Sequence, residues 1–349
     1  MGPLLGAGRP TPPSRIYSVR VIFRRSKHSR RTPPPDGPAD ALASSPAEPA
    51  LRQDLPDPNS PVIAVCGLVK RFDGRTVLDG INMEVYPGET LVIMGASGCG
   101  KSTLLRCLIG SLRPEEGQIR MLGRDICHLP EAEMDLVRKK FGILFQSGAL
   151  YNSMTIAENV ALPMEQHTGL DREIIAIDVK IKLEMVGLRE HADKFPSQIS
   201  GGMKKRAGLA RALALNPKIL FYDEPSAGLD PVTSAEIDRL IVDLTKQLGV
   251  TSVVVTHEMD SAFTIADRMV MLDKGRALHI GPRAWFDHLR KLPQAEAETL
   301  SEDHRIIRQF LRGDPEGPLT ARRSQERFES DLMGKDTALD DRSRRFFFW

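Results

Sequence analysis

The segment from residue 95 to residue 102 constrains the fold more than any other part of the chain. It reads Gly-Ala-Ser-Gly-Cys-Gly-Lys-Ser and matches every fixed position of the phosphate-binding loop pattern. Apolar residues 91–94 predict a buried strand before the loop, and residues 103–108 predict a helix after it. Glycines let backbone N–H groups converge on phosphate oxygens, and a helix N-terminus adds a favourable dipole. The alternative, a glycine-rich turn before a helix, is disfavoured by the closing Gly-Lys-Ser.

The loop pattern predicts roles for individual side chains. Lys101 is expected to reach the β and γ phosphates and to assist catalysis, and Ser102 is expected to ligate Mg²⁺. The residues of this segment that we predict to bind ATP are Gly95, Ala96, Ser97, Gly98, Cys99, Gly100, Lys101, Ser102 and Thr103.

Two carboxylates follow a second apolar run, residues 219–222. Asp223 is placed to reach the Mg²⁺ shell through water, and Glu224 is placed to polarise the attacking water. Two acids after a strand are weak evidence alone, because strand ends are often polar. Together with the phosphate-binding loop they indicate nucleotide hydrolysis.

The remaining apolar runs predict the fold class. Residues 131–215 are expected to be mostly helical with an interruption at residues 141–146, and Asp73-Gly74 predicts a turn. Strands that alternate with helices indicate an α/β domain with a largely parallel core sheet. The further predicted strands, two alternating and two continuously apolar, are residues 62–66, 80–85, 252–255 and 269–272.

Charge and composition limit the function classes. Residues 1–35 contain eight Lys or Arg and no Asp or Glu, which is typical of an organellar transit peptide, with a disordered basic tail as the alternative. The rest of the chain has a slight excess of acid, so no nucleic-acid partner is expected. No apolar run approaches the roughly 20 residues that cross a bilayer, so membrane contact is expected only through partners. The four cysteines lack metal-type spacing and are expected to be free thiols.

Residues 199–206 read Ile-Ser-Gly-Gly-Met-Lys-Lys-Arg and resemble the signature motif of ABC ATPases. The resemblance implies that Ser200, Gly201 and Gly202 open a helix facing the γ-phosphate of ATP bound to a second copy. Such a domain works as a two-fold dimer with two shared sites. The alternative is a helix N-cap followed by a flexible glycine pair.

Other family elements follow in the expected order. The resemblance implies that Gln146 binds Mg²⁺, senses the attacking water and couples to a permease, and that His257 contacts the γ-phosphate as a catalytic residue. Asp230, which ends the run Ser-Ala-Gly-Leu-Asp, resembles a residue of the dimer interface. Phe72 stands where the family places an aromatic ring against adenine, and stacking there would be worth about 1–3 kcal/mol.

Three features narrow the resemblance within the family. Met203 replaces the glutamine that most members have after Ser-Gly-Gly, and residues 144–150 and 309–319 resemble the ATPases of the Mla/MCE phospholipid-transport systems. With the transit-like leader, the chain is most similar to the ATPases of plastid trigalactosyldiacylglycerol lipid importers. The resemblance implies a dimer that hydrolyses ATP with Mg²⁺ and energises a multispan permease and an MCE-domain lipid-binding subunit. The complex would import phospholipid into or across the plastid inner envelope, with this chain on the stromal face of that membrane and a mitochondrial location as the alternative.

The expected organisation has three parts. Residues 1–60 form a transit peptide and disordered linker, residues 61–290 an ABC ATPase domain of the phosphate-loop NTPase type, and residues 291–349 a partly ordered C-terminal extension. The fold class is α/β, with a mixed sheet core, an antiparallel β-subdomain and a helical subdomain at about residues 150–200. The aromatic chain end, residues 344–349, is expected either to dock onto a partner or to be a frayed terminus.

Two other functions share the catalytic motifs. One is a soluble ABC ATPase without a transporter, such as an iron–sulphur assembly ATPase, which Met203 and residues 309–319 disfavour. The other is an importer ATPase for a small polar solute, which only the family-narrowing segments speak against.

Overall fold

The computed structural model describes residues 60–321. The predicted leader and linker and the aromatic chain end lie outside the described residues. The strands are β1 (Ile63–Phe72), β2 (Arg75–Val85), β3 (Thr90–Gly95), β4 (Glu116–Met121), β5 (Arg124–Asp125), β6 (Phe141–Leu144), β7 (Ile219–Asp223), β8 (Thr251–Val255), β9 (Arg268–Asp273) and β10 (Arg276–Pro282). The helices are α1 (Lys101–Leu108), α2 (Glu131–Arg138), α3 (Ile156–His167), α4 (Arg172–Met185), α5 (Gly201–Ala212), α6 (Pro231–Leu248), α7 (Met259–Ile265), α8 (Arg283–Lys291), α9 (Gln294–Ala297) and α10 (Glu302–Arg312).

The core is a six-stranded sheet with the order β10-β9-β3-β8-β7-β6. Five of its strands, from β9 to β6, are parallel to one another, and β10 pairs antiparallel to β9 at one edge. Alternate side chains of β3 enter two different cores: Leu91 and Ile93 pack in one, and Val92 and Met94 in the other. Both faces of the sheet are therefore covered, which explains the continuous apolar runs. The predicted mixed sheet core is confirmed.

A four-stranded antiparallel sheet, in the order β2-β1-β4-β5, covers one face of the core. Its first hairpin turns at Asp73 and Gly74, which both have positive φ (47° and 80°), as a two-residue hairpin loop requires. The predicted turn and the antiparallel subdomain are confirmed. Strands β1 and β2 are longer than their alternating apolar segments, because backbone pairing continues through the polar residues next to the turn.

The helical region contains α3, α4 and α5. Helix α3 begins with a capping box, in which Thr155 and Glu158 satisfy each other's backbone N–H groups. Apolar residues of all three helices share one core with the sheet, among them Val160, Leu183 and Leu209. The helical packing thus continues past residue 200, where we expected the subdomain to end, and includes all of α5.

Helices α8 and α10 follow the last strand of the core sheet in the sequence and pack beside that strand, β10. Within α10, Ile306, Ile307 and Leu311 are buried, so this helix belongs to the folded body. Among the helices in residues 60–321, none is both long and apolar enough to cross a membrane.

Candidate functional site

The phosphate-binding loop connects the central strand β3 to helix α1. Gly95 ends β3 with φ 152°, and a Cβ at this position would clash with the backbone oxygen of Leu272 and the sulfur of Cys99. Only glycine lets the chain pass so close to the neighbouring strand β9. The loop then enters α1 at Lys101, so its backbone N–H groups converge at a helix N-terminus that favours an anion.

Two groups hold the loop in place. The Lys101 ammonium is buried and donates to the carbonyl oxygens of Gly95 (2.7 Å) and Ala96 (3.1 Å). From the β9–β10 turn, the Gly275 N–H donates to the carbonyl oxygen of Cys99 (3.0 Å). Burial raises the pKa of the Cys99 thiol. The thiol therefore stays protonated, and protonated thiols are poor nucleophiles.

A cavity of about 650 Å³ lies beside the loop. Its walls include Val77 of β2, the loop residues Ser97 and Gly98, and the β9–β10 turn. This volume is within the range of small-molecule sites. Phe72, at the end of β1, is 42% exposed, and the Lys70 ammonium lies 5.1 Å from the centre of its ring.

Glu224 and His257 come together at the ends of β7 and β8. The His257 Nδ1 and a Glu224 carboxylate oxygen lie 2.8 Å apart. The backbone N–H of His257 donates to the other carboxylate oxygen (3.3 Å). The Glu224 side chain is only 14% exposed, whereas that of His257 is 59% exposed. Glu224 also has φ 49°, a conformation that costs a non-glycine residue free energy and is concentrated at functional sites.

Asp223 lies at the carboxyl end of β7, between opposite influences. Burial raises the pKa of its carboxyl group, and the neighbouring Glu224 carboxylate raises it further, whereas Arg106 and Lys101 lower it. A bound cation would relieve both unfavourable effects. The oxygen donors of Asp223, Ser102 and Gln146 are the kind that Mg²⁺ prefers, so the residues present fit this ion.

The structure brings a further residue, Lys205, to this site, although no local sequence pattern assigns it a role. It lies within the signature run on α5 and is buried, and its ammonium donates to the backbone oxygens of Glu224 (3.1 Å) and Ala227 (2.7 Å). Burial lowers the pKa of Lys205, while the carboxylates of Glu258 and Glu224 raise it. Lys205 therefore joins the signature helix to the backbone of the predicted catalytic carboxylate.

We expect Lys205→Met to lower the free energy of unfolding by about 1–3 kcal/mol, because two carbonyl oxygens lose their donor. ATP hydrolysis should fall as well, since the backbone of Glu224 loses a contact. Chemical denaturation and a steady-state ATPase assay measure the two effects. Lys204→Met makes the same change one residue earlier and should leave both close to wild type. If both variants lowered stability and ATP hydrolysis equally, the hydrogen bonds of the Lys205 ammonium could not be the cause.

Arg211, near the C-terminus of α5, holds the Gln146 loop. Its guanidinium donates to the backbone oxygens of Ala149 (2.7 Å) and Gly148 (3.3 Å). Gln146 itself is exposed, two residues beyond β6. The same helix thus contacts both the Glu224 backbone, through Lys205, and the Gln146 loop.

The structure separates the signature residues from the phosphate-loop cavity. Ser200 is the N-cap of α5, where its Oγ accepts a hydrogen bond from the Met203 N–H (3.3 Å). Within the described part of the chain, the walls of the cavity do not include Ser200, Gly201 or Gly202. Asp230 is the N-cap of α6, where it accepts from the Val232 and Thr233 N–H groups. Its predicted role at a dimer interface stays a prediction.

Comparisons with known proteins agree with this geometry. The profile of the family described as ABC transporter matches residues 78–227. The chain is 41% identical over 282 residues to the probable ribonucleotide transport ATP-binding protein mkl of Mycobacterium leprae, covering 81% of this chain and 77% of that protein. It is 38% identical over 275 residues to the intermembrane phospholipid transport system ATP-binding protein MlaF of Haemophilus influenzae, covering 79% and 99%. The solved dimeric ATP-binding cassette MJ0796, in a post-hydrolysis state bound to ADP and Pi, aligns with a TM-score of 0.59 at 30% identity, covering 63% and 98%.

Proposed function

The chain belongs to the ATP-binding proteins of ABC transporters, and from this premise we propose that it is the ATP-hydrolysing subunit of a phospholipid transporter. The family couples ATP hydrolysis to transport. The observation that supports a phospholipid cargo is the similarity to MlaF over 99% of that protein's length.

The phosphate-loop cavity is the proposed ATP site. The backbone N–H groups of the loop bind the phosphates, and the Lys101 ammonium turns from the loop carbonyls to the β and γ phosphates. The ring of Phe72 stacks on adenine. Ser102, Gln146 and Asp223, the last through water, would hold Mg²⁺, which when bound neutralises charge on the phosphates.

Glu224 acts as the general base. Its carboxylate accepts a proton from the attacking water. The same carboxylate is largely buried and lies within hydrogen-bond distance of the His257 ring. The His257 ring, held by that carboxylate, contacts the γ-phosphate from its exposed edge. Lys101 stabilises the negative charge that develops on the phosphoryl group.

Two copies of the chain would form each complete site. The signature residues Ser200, Gly201 and Gly202 open a 12-residue helix but line no part of their own chain's cavity. Placed against the cavity of a second copy, this helix N-terminus would face the γ-phosphate. The dimeric solved relative supports this arrangement.

The transporter partners follow from the resemblance. A multispan permease would contact the Gln146 loop, and an MCE-domain subunit would bind the lipid. The basic, acid-free residues 1–35 support an organelle, and we propose the stromal face of the plastid inner envelope, with phospholipid imported into or across that membrane. A mitochondrial location is the alternative.

A small polar solute is the second candidate cargo. The observation that favours it is the similarity to the mycobacterial proteins named as probable ribonucleotide transport ATP-binding proteins. The catalytic geometry is the same for both cargoes, so only the partner complex distinguishes them.

Isolation of that complex tests the proposal. A tagged Glu224→Gln chain, which should remain in the ATP-bound state, would be purified from solubilised plastid and mitochondrial membranes and analysed for proteins and lipids by mass spectrometry. Lys101→Ala, which should not hold ATP, is the control. We expect a multispan permease, an MCE-domain protein and phospholipid from plastids. A permease without an MCE-domain protein or lipid would overturn the phospholipid cargo and leave the ATPase assignment intact.

A further inference from the structure

The chain turns back on itself after helix α10. The helix ends at Gly313, and the residues that follow return along it to the buried side chain of Gln309. The Gln309 amide nitrogen donates to the Asp314 carbonyl oxygen and to the Thr320 hydroxyl, both at 3.1 Å. Its amide oxygen accepts from the Leu319 N–H (2.7 Å). One buried side chain therefore determines the position of residues 314–320, which we call the return segment.

Close packing and a second side chain support this arrangement. Gly317 has φ 154°, a conformation that favours glycine, and a Cβ there would lie 2.6 Å from the Gln309 amide and would have to displace it. Arg308 is also buried and donates to the Leu292 carbonyl oxygen (2.9 Å) and to the Gln294 side chain (3.0 Å). These contacts attach α10, and with it the return segment, to the connection between α8 and α9.

Leu319 of the return segment lines the phosphate-loop cavity. It shares the walls of the cavity with Val77, Ser97 and Gly98, although it lies more than two hundred residues after them in the chain. The cavity keeps a volume of about 650 Å³ with Leu319 in its wall, so this side chain bounds the space and does not fill it. A leucine cannot bind phosphate oxygens, whereas it can contact a sugar or a base.

We propose that Leu319 contacts the nucleoside part of the bound nucleotide, so that the return segment forms one wall of the ATP site. The inference rests on the proposed binding of nucleotide in this cavity. Because binding couplings are reciprocal, nucleotide stabilises the docked return segment, and the docked segment strengthens nucleotide binding. The position of the return segment then depends on whether nucleotide is bound.

Binding of ADP and of inorganic pyrophosphate to the full-length chain tests the contact, measured by calorimetry with Mg²⁺ present. Leu319→Ser should weaken ADP binding about four- to fifteenfold, the worth of one or two buried CH₂ groups. Pyrophosphate has no nucleoside, so its affinity should change less than about twofold. Glu316→Ser, at an exposed position of the same segment, should bind both ligands like wild type.

Hydrogen exchange on the wild-type chain gives a second readout that needs no variant to fold. ADP should slow exchange of the Leu319 amide, whose N–H is bonded to Gln309, at least about threefold, and pyrophosphate should not. The proposal is overturned if Leu319→Ser binds ADP as wild type does or more tightly, if it loses pyrophosphate affinity equally, or if ADP leaves the exchange unchanged. A wild-type chain that binds neither ligand would also remove the ATP site itself.

Discussion

Replacing Glu224 with glutamine is expected to lower ATP hydrolysis by about 100-fold or more, with ATP affinity within about twofold of wild type. A positioned general base contributes about 10²- to 10⁴-fold, and a glutamine amide cannot accept the proton of the attacking water. Glutamine has nearly the same size and can still accept the His257 N–H, so the local geometry should persist. Phosphate release under single-turnover conditions measures the first quantity, and equilibrium binding of ATP the second.

The matched control for this prediction is Glu165→Gln on α3. Glu165 is exposed, and the same chemical change there should leave hydrolysis unaltered. Turnover of Glu224→Gln close to wild type would remove Glu224 from the role of general base. Loss of ATP binding in this variant would show that the carboxylate holds the site together and does not act on water.

Replacing Lys101 with alanine is expected to weaken nucleotide binding about 10- to 100-fold and to reduce hydrolysis further. A hydrogen bond to a charged group contributes about 1.5–3 kcal/mol, which corresponds to this range of affinity. The loop also loses an internal support, since the Lys101 ammonium donates to the Gly95 and Ala96 carbonyl oxygens. Equilibrium binding of ADP and ATP to the variant measures the effect.

Lys246→Ala removes the same side chain from an exposed position on α6 and is the control. It should bind nucleotide as wild type does. If Lys101→Ala also kept wild-type affinity, the phosphates would have to bind elsewhere, and the assignment of the loop would be wrong.

The sequence predicted the parallel strands better than some of the antiparallel strands. Residues 91–94 and 219–222 form continuous apolar runs because both sheet faces are covered, and these runs are visible without any knowledge of tertiary contacts. Strand β4 (Glu116–Met121) and strand β10 (Arg276–Pro282) were not predicted. Both mix polar and apolar residues without a clear alternation, and β4 is defined by its pairing with β1, which is distant in the sequence, whereas β10 pairs with β9 across a tight turn.

The residues of the site also fall into those that a local sequence pattern predicts and those that only tertiary packing identifies. Motif residues such as Lys101 and Glu224 could be assigned from local patterns, because each pattern combines a strand end with a specific loop. Lys205 and Arg211 could not, since their partners are backbone carbonyl groups that only the packing of α5 brings near. Leu319 is the extreme case, because a leucine near the chain end has no local feature that relates it to the phosphate loop.

Helix α5 contacts three parts of the site that ATP hydrolysis is proposed to involve. Its N-terminus presents Ser200 outward, Lys205 holds the backbone at Glu224, and Arg211 holds the Gln146 loop. A displacement of this helix on dimer closure would therefore be felt at the hydrolytic carboxylate and at the proposed permease contact. Under the proposed function, this packed helix would be the physical link between ATP binding and transport.

In the proposed function, ATP bound in the cavity of one copy is also contacted by the signature helix of a second copy, so ATP joins two copies of the chain. Light scattering of the Glu224→Gln chain, with and without saturating MgATP, tests it most directly, because this variant should not consume the nucleotide. We expect a mass close to one chain without nucleotide or with ADP, and close to two chains with ATP. A mass of one chain under ATP concentrations that saturate binding would contradict it.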